Sequence, residues 1–490
     1  MSAPHAVVIG GSVAGLGAAL ALSQRDYRVT ILESDATPLP EGPEEAFSSW
    51  KRKGSPQTRH SHALLARLRN LLREHAPDLL SELLSHGAEE LRFSERAREL
   101  FGEDCLEPGD EDLVALACRR ITFEWVLRRH VLDSGRVEFR DGVKVLGLRA
   151  EGGVPPRVTG VEIAGAGGLD ADVVIDATGR RTRLGEWLPA IGTAEVPSET
   201  SDCGIFYTSR FYRLRPGVEP PRLSGGIVGV DLGYLKMGVF AGDSRVFSIT
   251  MAASPEDEAM GRIRRQPCFD IAAEAIPLSA QWISPELAEP ITGVHAMAGL
   301  TNARRRLVVD GEPLALGFFA VGDSQIHTNP IVGRGCSLGW VQAFDLAASL
   351  DENRSDLRAA ALAYESCVES NVLPWYLIQV TQDADAVDVA RSQLRGENPF
   401  EEKNPDGSAN PRGFMRSLLR DGLAPGLEED VHLMRAFSRT IHLLDAPGDL
   451  MKNPDVMRRI LEAYGRRDDR PARNAGPRRD DLLGRFEEAA

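Results

Sequence analysis

The 490-residue sequence predicts an α/β protein, with a parallel-sheet unit assembled from two stretches of chain, a second sheet inserted between them, and a helical C-terminal region. Three observations lead there. The chain opens on a strand, a glycine turn, a helix and a second strand. Its middle alternates polar and apolar residues at strand spacing between glycines and prolines. Beyond Ser355 the apolar spacing becomes helical.

In chain order, residues 6–9 form a short β-branched run, 10–15 a turn, 16–24 an alanine- and leucine-rich helix, and 28–32 a second strand. Residues 41–59 are polar and rich in Gly, Pro and Ser, which predicts an exposed loop. Helical periodicity covers 64–84 and 122–132. Strands are expected at 143–148, 158–163 and 172–175, with a turn at 165–168. Between 187 and 300 the pattern is strand-like, as in Phe247-Ser248-Ile249-Thr250, and predicts a sheet that covers a substrate. Short apolar strands return at 307–309 and 318–321, before a glycine-rich turn and a helix over 336–350. After Ser355 helices are interrupted by a loop at 398–412, and the tail from 466 mixes charge with proline and is expected to be mobile. The implied division is 1–186 with 301–350, then 187–300, 351–465 and 466–490. No internal repeat is present.

Composition narrows the function. A formal net charge of −15 disfavours nucleic acid and anionic membranes as partners, because both repel acidic surfaces. No two of the six cysteines (Cys105, Cys118, Cys203, Cys268, Cys336, Cys367) stand in a C-x-x-C spacing. That argues against a zinc site or redox dithiol and suits a reducing cytoplasm; no metal is expected. The apolar stretch 7–22 contains four glycines, lacks a basic leader and is short for a membrane span, so neither a signal peptide nor integral membrane association is expected.

The strongest motif is Val7-Val8-Ile9-Gly10-Gly11-Ser12-Val13-Ala14-Gly15, with Glu33 ending the next strand. Gly10 permits the tight turn, and Gly15 lets the helix pack closely on the strand. The helix N-terminus offers N–H groups to a pyrophosphate, and Glu33 can accept hydrogen bonds from ribose hydroxyls. This is a Rossmann-type dinucleotide fingerprint with Ser12 in place of the middle glycine. Two later segments distinguish the dinucleotide: Val173-Val174-Ile175-Asp176-Ala177-Thr178-Gly179, and Ala320-Val321-Gly322-Asp323 followed by Pro330 and Gly333-Arg334-Gly335 before a helix. Asp323 can bind a ribityl hydroxyl or serve as a helix cap; the 333–335 backbone can approach a flat ring.

Together these segments resemble the three FAD fingerprints of class A flavoprotein monooxygenases, and more closely the flavin epoxidases of polyether antibiotic biosynthesis and their uncharacterised relatives. The closer likeness rests on Gly54-Ser55-Pro56-Gln57-Thr58-Arg59-His60-Ser61-His62, on Arg120 ahead of Glu124-Trp125, on Tyr207 with Arg210, and on Gln382-Asp383. It extends to about residue 385. The resemblance implies a glutathione-reductase-like flavoprotein fold and FAD held by Gly10, Gly11, Ser12, Val13, Ala14, Gly15, Glu33, Arg59, Arg120, Val145, Gly179, Gly322, Asp323 and Gly335. Arg120 would lie near the phosphates or ribityl chain, and Val145 would pass the adenine through its backbone. Pro330, Gly333 and Gly335 would line the flavin ring. The segment 56–62 would lie beside the cofactor, with His60 and His62 either satisfied loop histidines or catalytic candidates; His327 is expected to be structural.

The implied reaction is transfer of one oxygen atom from O2 to an apolar small molecule through a C4a-hydroperoxyflavin, with epoxidation favoured over hydroxylation. Reduction of a C=C bond, and a flavin-binding redox protein without turnover, are the alternatives. Arg180-Arg181-Thr182-Arg183 departs from the Asp-Gly motif linked to NADPH, and no second strand–glycine turn–helix unit occurs. Reducing equivalents are therefore expected from NAD(P)H directly or through a separate flavin reductase. The Trp-x-Trp-x-Ile-Pro signature of flavin halogenases is absent.

Overall fold

The computed structural model describes residues 3–165, 167–221, 227–471 and 475–488. Its five-stranded sheet runs Phe318–Ala320, Val173–Asp176, His5–Ile9, Arg28–Leu32, Val137–Arg140, and every neighbouring pair is parallel. His5–Ile9 and Val173–Asp176 are buried along their whole length, as parallel strands with both faces covered must be. The central strand pairs Ile9 with Leu32 on one side and with Asp176 on the other. Connections therefore diverge at its carboxyl end, the place where open parallel sheets leave a crevice.

One sheet face is covered by helix Val13–Ser23, which packs on helix Gly335–Glu352 with Gly17 against the Trp340 indole. The other is covered by the antiparallel meander Val145–Glu151, Arg157–Ile163, Gly167–Asp170 and by helix Leu184–Ala190. Gly167 and Gly168 thus belong to a strand rather than to the expected turn.

A second, antiparallel sheet runs Ile227–Asp231, Lys236–Ala241, Val246–Ala253, Phe206–Leu214, Ala288–Pro290, and His295–Met297 also pairs with Phe206–Leu214. Its period-2 pattern divides the faces. Phe247, Ile249 and Met251 enter a core with Phe269, Ala272 and Ala273, whereas Thr250 and Ala252 face a cleft. Phe269, Ala272 and Ala273 have helical spacing, so this stretch contains the helices Gln266–Ala275 and Pro277–Ala280 besides its strands.

Three further expectations need correction. Residues 41–59 are not an exposed loop: helix Pro43–Ser49 and a short turn Pro56–Arg59 form there, and Trp50 and Arg52 are buried. The periodicity over 64–84 resolves into helices Ala66–His75 and Pro77–Ser85, split where Pro77 lacks the N–H that a continuous helix needs. The tail is also more ordered than its composition predicts. Residues 472–474 and 489–490 lie outside the described residues, but Arg479–Glu488 is a helix whose Leu482 and Phe486, one turn apart, are fully buried against the second sheet. Arg479 pairs with Asp257, and Arg262 donates to the Phe486 carbonyl. Among the described residues no helix is long and apolar enough to cross a membrane.

Truncating Phe486 to Ala should cost the docked helix about 3–5 kcal/mol. Hydrogen exchange is expected to show lost protection over 479–488 with the parallel sheet unaffected. Unchanged protection would mean that this helix is held by its surface ion pairs instead.

Candidate functional site

A cleft of about 870 Å³ opens at the carboxyl edge of the parallel sheet. Leu32, Glu33 and Val145 line one end. The glycine turn, Gly179, Gly322 and Asp323 form the middle, with Pro330, Gly333 and Gly335 beyond. The second sheet closes the remaining side with Tyr207, Met237 and Phe240.

The glycine turn depends on backbone approach. Gly10 has φ +107°, and a Cβ on Gly15 would stand 1.9 Å from the Gly10 carbonyl oxygen. No side chain is tolerated there, so helix Val13–Ser23 starts directly at the cleft wall and its positive end faces the cavity. Gly11 does not aim its N–H at the cleft; it donates to Glu33 at 3.0 Å. The Glu33 carboxylate also accepts from Arg52 (3.1 Å), the Asp35 N–H (2.9 Å) and the Ser34 hydroxyl (3.3 Å). Those donors fill a carboxylate's usual capacity, so a ribose hydroxyl would have to replace the long Ser34 bond.

Beneath this turn lies a buried ion network. Glu124 is 0% exposed and accepts from Arg52 and Arg120, each at 2.6 Å, and from the Ser12 hydroxyl at 2.8 Å. Burial alone would raise its pKa, but the two guanidinium charges outweigh it and hold the carboxyl at about 2. Arg52 also reaches Asp35 at 3.1 Å and the Gly11 carbonyl at 3.3 Å. Arg120 donates to Ser12 Oγ at 3.0 Å and, unlike Arg52 and Glu124, lines the cleft.

On the opposite wall Asp323 lies inside the short turn Gly322–Ser324, whose capping residue is Val321, so it is no helix cap. Among the described residues no donor reaches its carboxylate. Burial raises its pKa, against the pull of His327, Arg180, Arg120 and Arg305. The following loop hangs from Asp383, which accepts from Asn302 (2.7 Å), Asn329 (2.9 Å) and Gln379 (2.8 Å). Gln379 in turn accepts from Arg334 at 2.9 Å. Gln382, the residue paired with Asp383 in the sequence motif, is exposed instead. Gly333 adopts φ +69° where the chain crosses Ala63, and helix Gly335–Glu352 begins at the cleft wall.

Most expected residues therefore converge: Gly10, Gly11, Ser12, Val13, Ala14, Glu33, Arg120, Val145, Gly179, Gly322, Asp323, Pro330, Gly333, Gly335 and His62 all line one cavity. Gly15 lies behind it as a packing residue. Arg59 is exposed and outside the lining, so a cofactor role for it is not supported; the buried arginine of this segment is Arg52. His60 also stands outside the lining, bonded to Ser209 at 3.1 Å and edge-on to Tyr207 at 4.8 Å. His62 Nδ1 donates to the His60 carbonyl at 3.1 Å. His327 does line the cleft, with its Nδ1 buried and unpartnered. Arg52 escaped the sequence reading because it sits in the polar run Lys51-Arg52-Lys53, and only its distant carboxylates reveal its burial.

No family model matches this chain. It is 29% identical over 383 residues to Protein Rv3254 of Mycobacterium tuberculosis, covering 72% of this chain and 74% of the relative. Among solved structures it is similar to the flavin-dependent brominase Bmp2 (TM-score 0.56, 15% identity, 94% of this chain and 99% of that one). It is also similar to PqsL of Pseudomonas aeruginosa, described as a probable FAD-dependent monooxygenase (TM-score 0.54, 14% identity, 80% and 98%). The anhydrotetracycline hydroxylase OxyS of Streptomyces rimosus gives a TM-score of 0.55 at 17% identity over 90% and 76%. The likeness is one of architecture: this chain has the fold of these flavin-dependent enzymes.

Burial holds His60 at about 3, and burial with the nearby Arg120 charge holds His62 at about 4, both below the ordinary 6.5. The unfolded chain takes up protons at these rings below about pH 6.5 while the folded chain does not, so acidification favours unfolding from there down to about pH 4. The Tm should fall between pH 7.5 and pH 5, and the fall should shrink in His60→Gln. An identical pH slope in the variant would remove His60 from this account.

Proposed function

We propose that this chain is an FAD-dependent monooxygenase that inserts one oxygen atom from O2 into an apolar organic substrate, by epoxidation or hydroxylation. The observation that carries this reading is the continuity of the cleft, which joins an anion-receiving helix terminus and an unpartnered carboxylate to an apolar sheet wall. The residues present suit FAD: the turn that would meet its phosphates has no space for a Cβ at Gly10 or Gly15. Asp323 is a half-buried acceptor without a donor among the described residues, as a ribityl-binding carboxylate needs to be.

On this reading Glu33 and the strand containing Val145 hold the adenosine half, and the turn from Gly10 to Ala14 with Arg120 holds the pyrophosphate. Asp323 takes the ribityl hydroxyls, and Pro330, Gly333 and Gly335 flank the ring. Reduced flavin supplies the electrons that activate O2. The chain's own part is to position and to exclude water. Helix Gly335–Glu352 directs its positive end at the cavity and stabilises negative charge there. The Tyr207 phenol, pushed up to about 12 by burial, keeps its proton and donates to the Met297 sulfur at 3.1 Å. NAD(P)H acts as the donor, directly or through a separate flavin reductase.

Asp323→Ala should weaken FAD binding by about 1–3 kcal/mol, measured by titration of the apoprotein. An unchanged affinity would deny Asp323 a cofactor role. Turnover of candidate alkenes and arenes with reduced flavin and isotopically labelled O2 should place one labelled oxygen in the product. A gain of two hydrogens without label would instead identify a reductase, and halide in the product a halogenase.

A further inference from the structure

Arg180 has no task in the cofactor site described above. It lies in the short turn Gly179–Arg181 that follows the strand Val173–Asp176, is half-buried, and lines the cleft. Of the other cations around the cleft, Lys144 and Arg181 are exposed to water, and the rest are engaged. Arg120 is paired with Glu124 at 2.6 Å, Lys236 with Asp231 at 2.6 Å, and Arg183 with Glu186 at 2.6 Å. Arg305 donates to the carbonyls of Asp323 and Ser324 at 3.2 and 3.1 Å. Arg180 has no hydrogen bond or ion pair among the described residues. A guanidinium removed in part from water without a partner is costly unless an anion arrives to meet it.

Its position indicates which anion. The turn that carries Arg180 packs on the turn Gly322–Ser324 at the cofactor end, with the Gly179 N–H donating to Ser324 Oγ at 2.8 Å. Arg180 also shares the cleft lining with Tyr207 of the sheet wall, on which its charge acts, so it stands where the two arms of the cleft meet. The sheet arm beyond it is lined by Tyr207, Met237, Phe240, Ala252, Met297 and Leu300, an apolar surface whose cation and carboxylate, Lys236 and Asp231, already neutralise each other. Asp323 acts on Arg180 through space but makes no hydrogen bond to it, so the guanidinium's donors stay free, and in the cofactor reading the Asp323 carboxylate is occupied by ribityl hydroxyls.

We propose that Arg180 anchors an anionic oxygen group, a carboxylate or an acidic enol, of a substrate whose remaining surface is apolar and rests on the Met237–Phe240–Met297 wall. This rests on the monooxygenase reading and narrows its substrate class from apolar molecules to amphiphilic acids. A planar guanidinium can bind both oxygens of a carboxylate at once, and apolar walls strengthen such a pair by excluding water. The anchor also sets register: with the acidic end held at the junction, the apolar part lies along the sheet. The same guanidinium could receive a phosphate of a nicotinamide donor, so the experiment separates the two sources.

The test uses the FAD-loaded protein and three probe acids, 2-naphthoate, 4-phenylbutyrate and decanoate, each compared with its uncharged amide by calorimetry and by perturbation of the flavin spectrum. In the wild type at least one acid should bind about tenfold or more tightly than its amide, as expected for a charge-assisted pair. Arg180→Gln should lose that preference, Arg180→Lys should retain part of it, and both should keep the wild-type FAD content. The NADPH concentration that half-saturates flavin reduction should not change in Arg180→Gln. Equal binding of acid and amide, binding of no acid, or a preference that survives Arg180→Gln would overturn the proposal. Loss of FAD in Arg180→Gln, or a shift confined to NADPH, would likewise assign Arg180 elsewhere. A wild-type protein that takes up no FAD would defeat the cofactor reading itself, and the calorimetric comparison of acids with amides would still decide the role of Arg180.

Discussion

Glu124 is enclosed by Arg52, Arg120 and the Ser12 hydroxyl, without access to water, and the floor of the cleft is organised around that carboxylate. Removing one partner from a buried pair of this kind leaves a stranded charge and costs about 3–5 kcal/mol, so the cluster acts as a unit. Through Arg52 it fixes Glu33 at the end of the second strand, and through Arg120 it presents one guanidinium edge to the cavity. It also accounts for Ser12 where dinucleotide fingerprints carry a glycine. The Ser12 hydroxyl donates to Glu124 and accepts from Ser55 at 3.0 Å and from Arg120. A hydroxyl is accommodated at this position because the protein interior supplies its partners, and the first-turn N–H groups of the helix are left for an anion.

Asp383 does the corresponding work on the opposite wall. It belongs to helix Leu373–Leu394 and gathers three amide donors, two of which, Asn302 and Asn329, come from the strand and loop next to the cavity. The loop from Asn329 to Gly335 has little regular structure of its own. Its shape comes from this carboxylate, from Asn329 capping Ile331, and from the passage of Gly333 over Ala63. The two walls are thus tied to separate buried carboxylates on helices far apart in the chain. A cavity held in this way keeps its geometry when it is filled, which favours positioning and the exclusion of water.

The sheet side of the cavity obtains its support from behind. Alternate residues of Val246–Ala253 enter the core beneath helix Gln266–Ala275, and the C-terminal helix completes that core with Leu482 and Phe486. Residues 479–488 therefore stabilise, through the sheet, a surface they do not touch. On the cavity side the same alternation leaves hydroxyl and small side chains, and the two charges that the neighbouring strands present there, Lys236 and Asp231, pair with each other.

The sequence by itself determined the features that depend on neighbours in the chain. A β-branched run, a turn that only glycine can make, and an acid at the next strand end identify the opening strand–turn–helix–strand unit, because each is a local steric or hydrogen-bonding requirement. Period-2 alternation likewise identified Phe247–Thr250 as strand. Tertiary structure decided which of several similar residues took part. Arg52 rather than Arg59 is buried, because the carboxylates of Glu33, Asp35 and Glu124 converge on it from elsewhere in the chain. His62 rather than His60 reaches the cavity, because the His60 ring is held by Ser209 and packed on Tyr207. Gln379 rather than Gln382 meets Asp383, because one turn of helix separates i from i+4 but turns i−1 to the outside. The C-terminal helix was hidden for the same reason: its apolar residues are too few to mark an independent helix, and the core that buries them is formed by strands more than two hundred residues earlier.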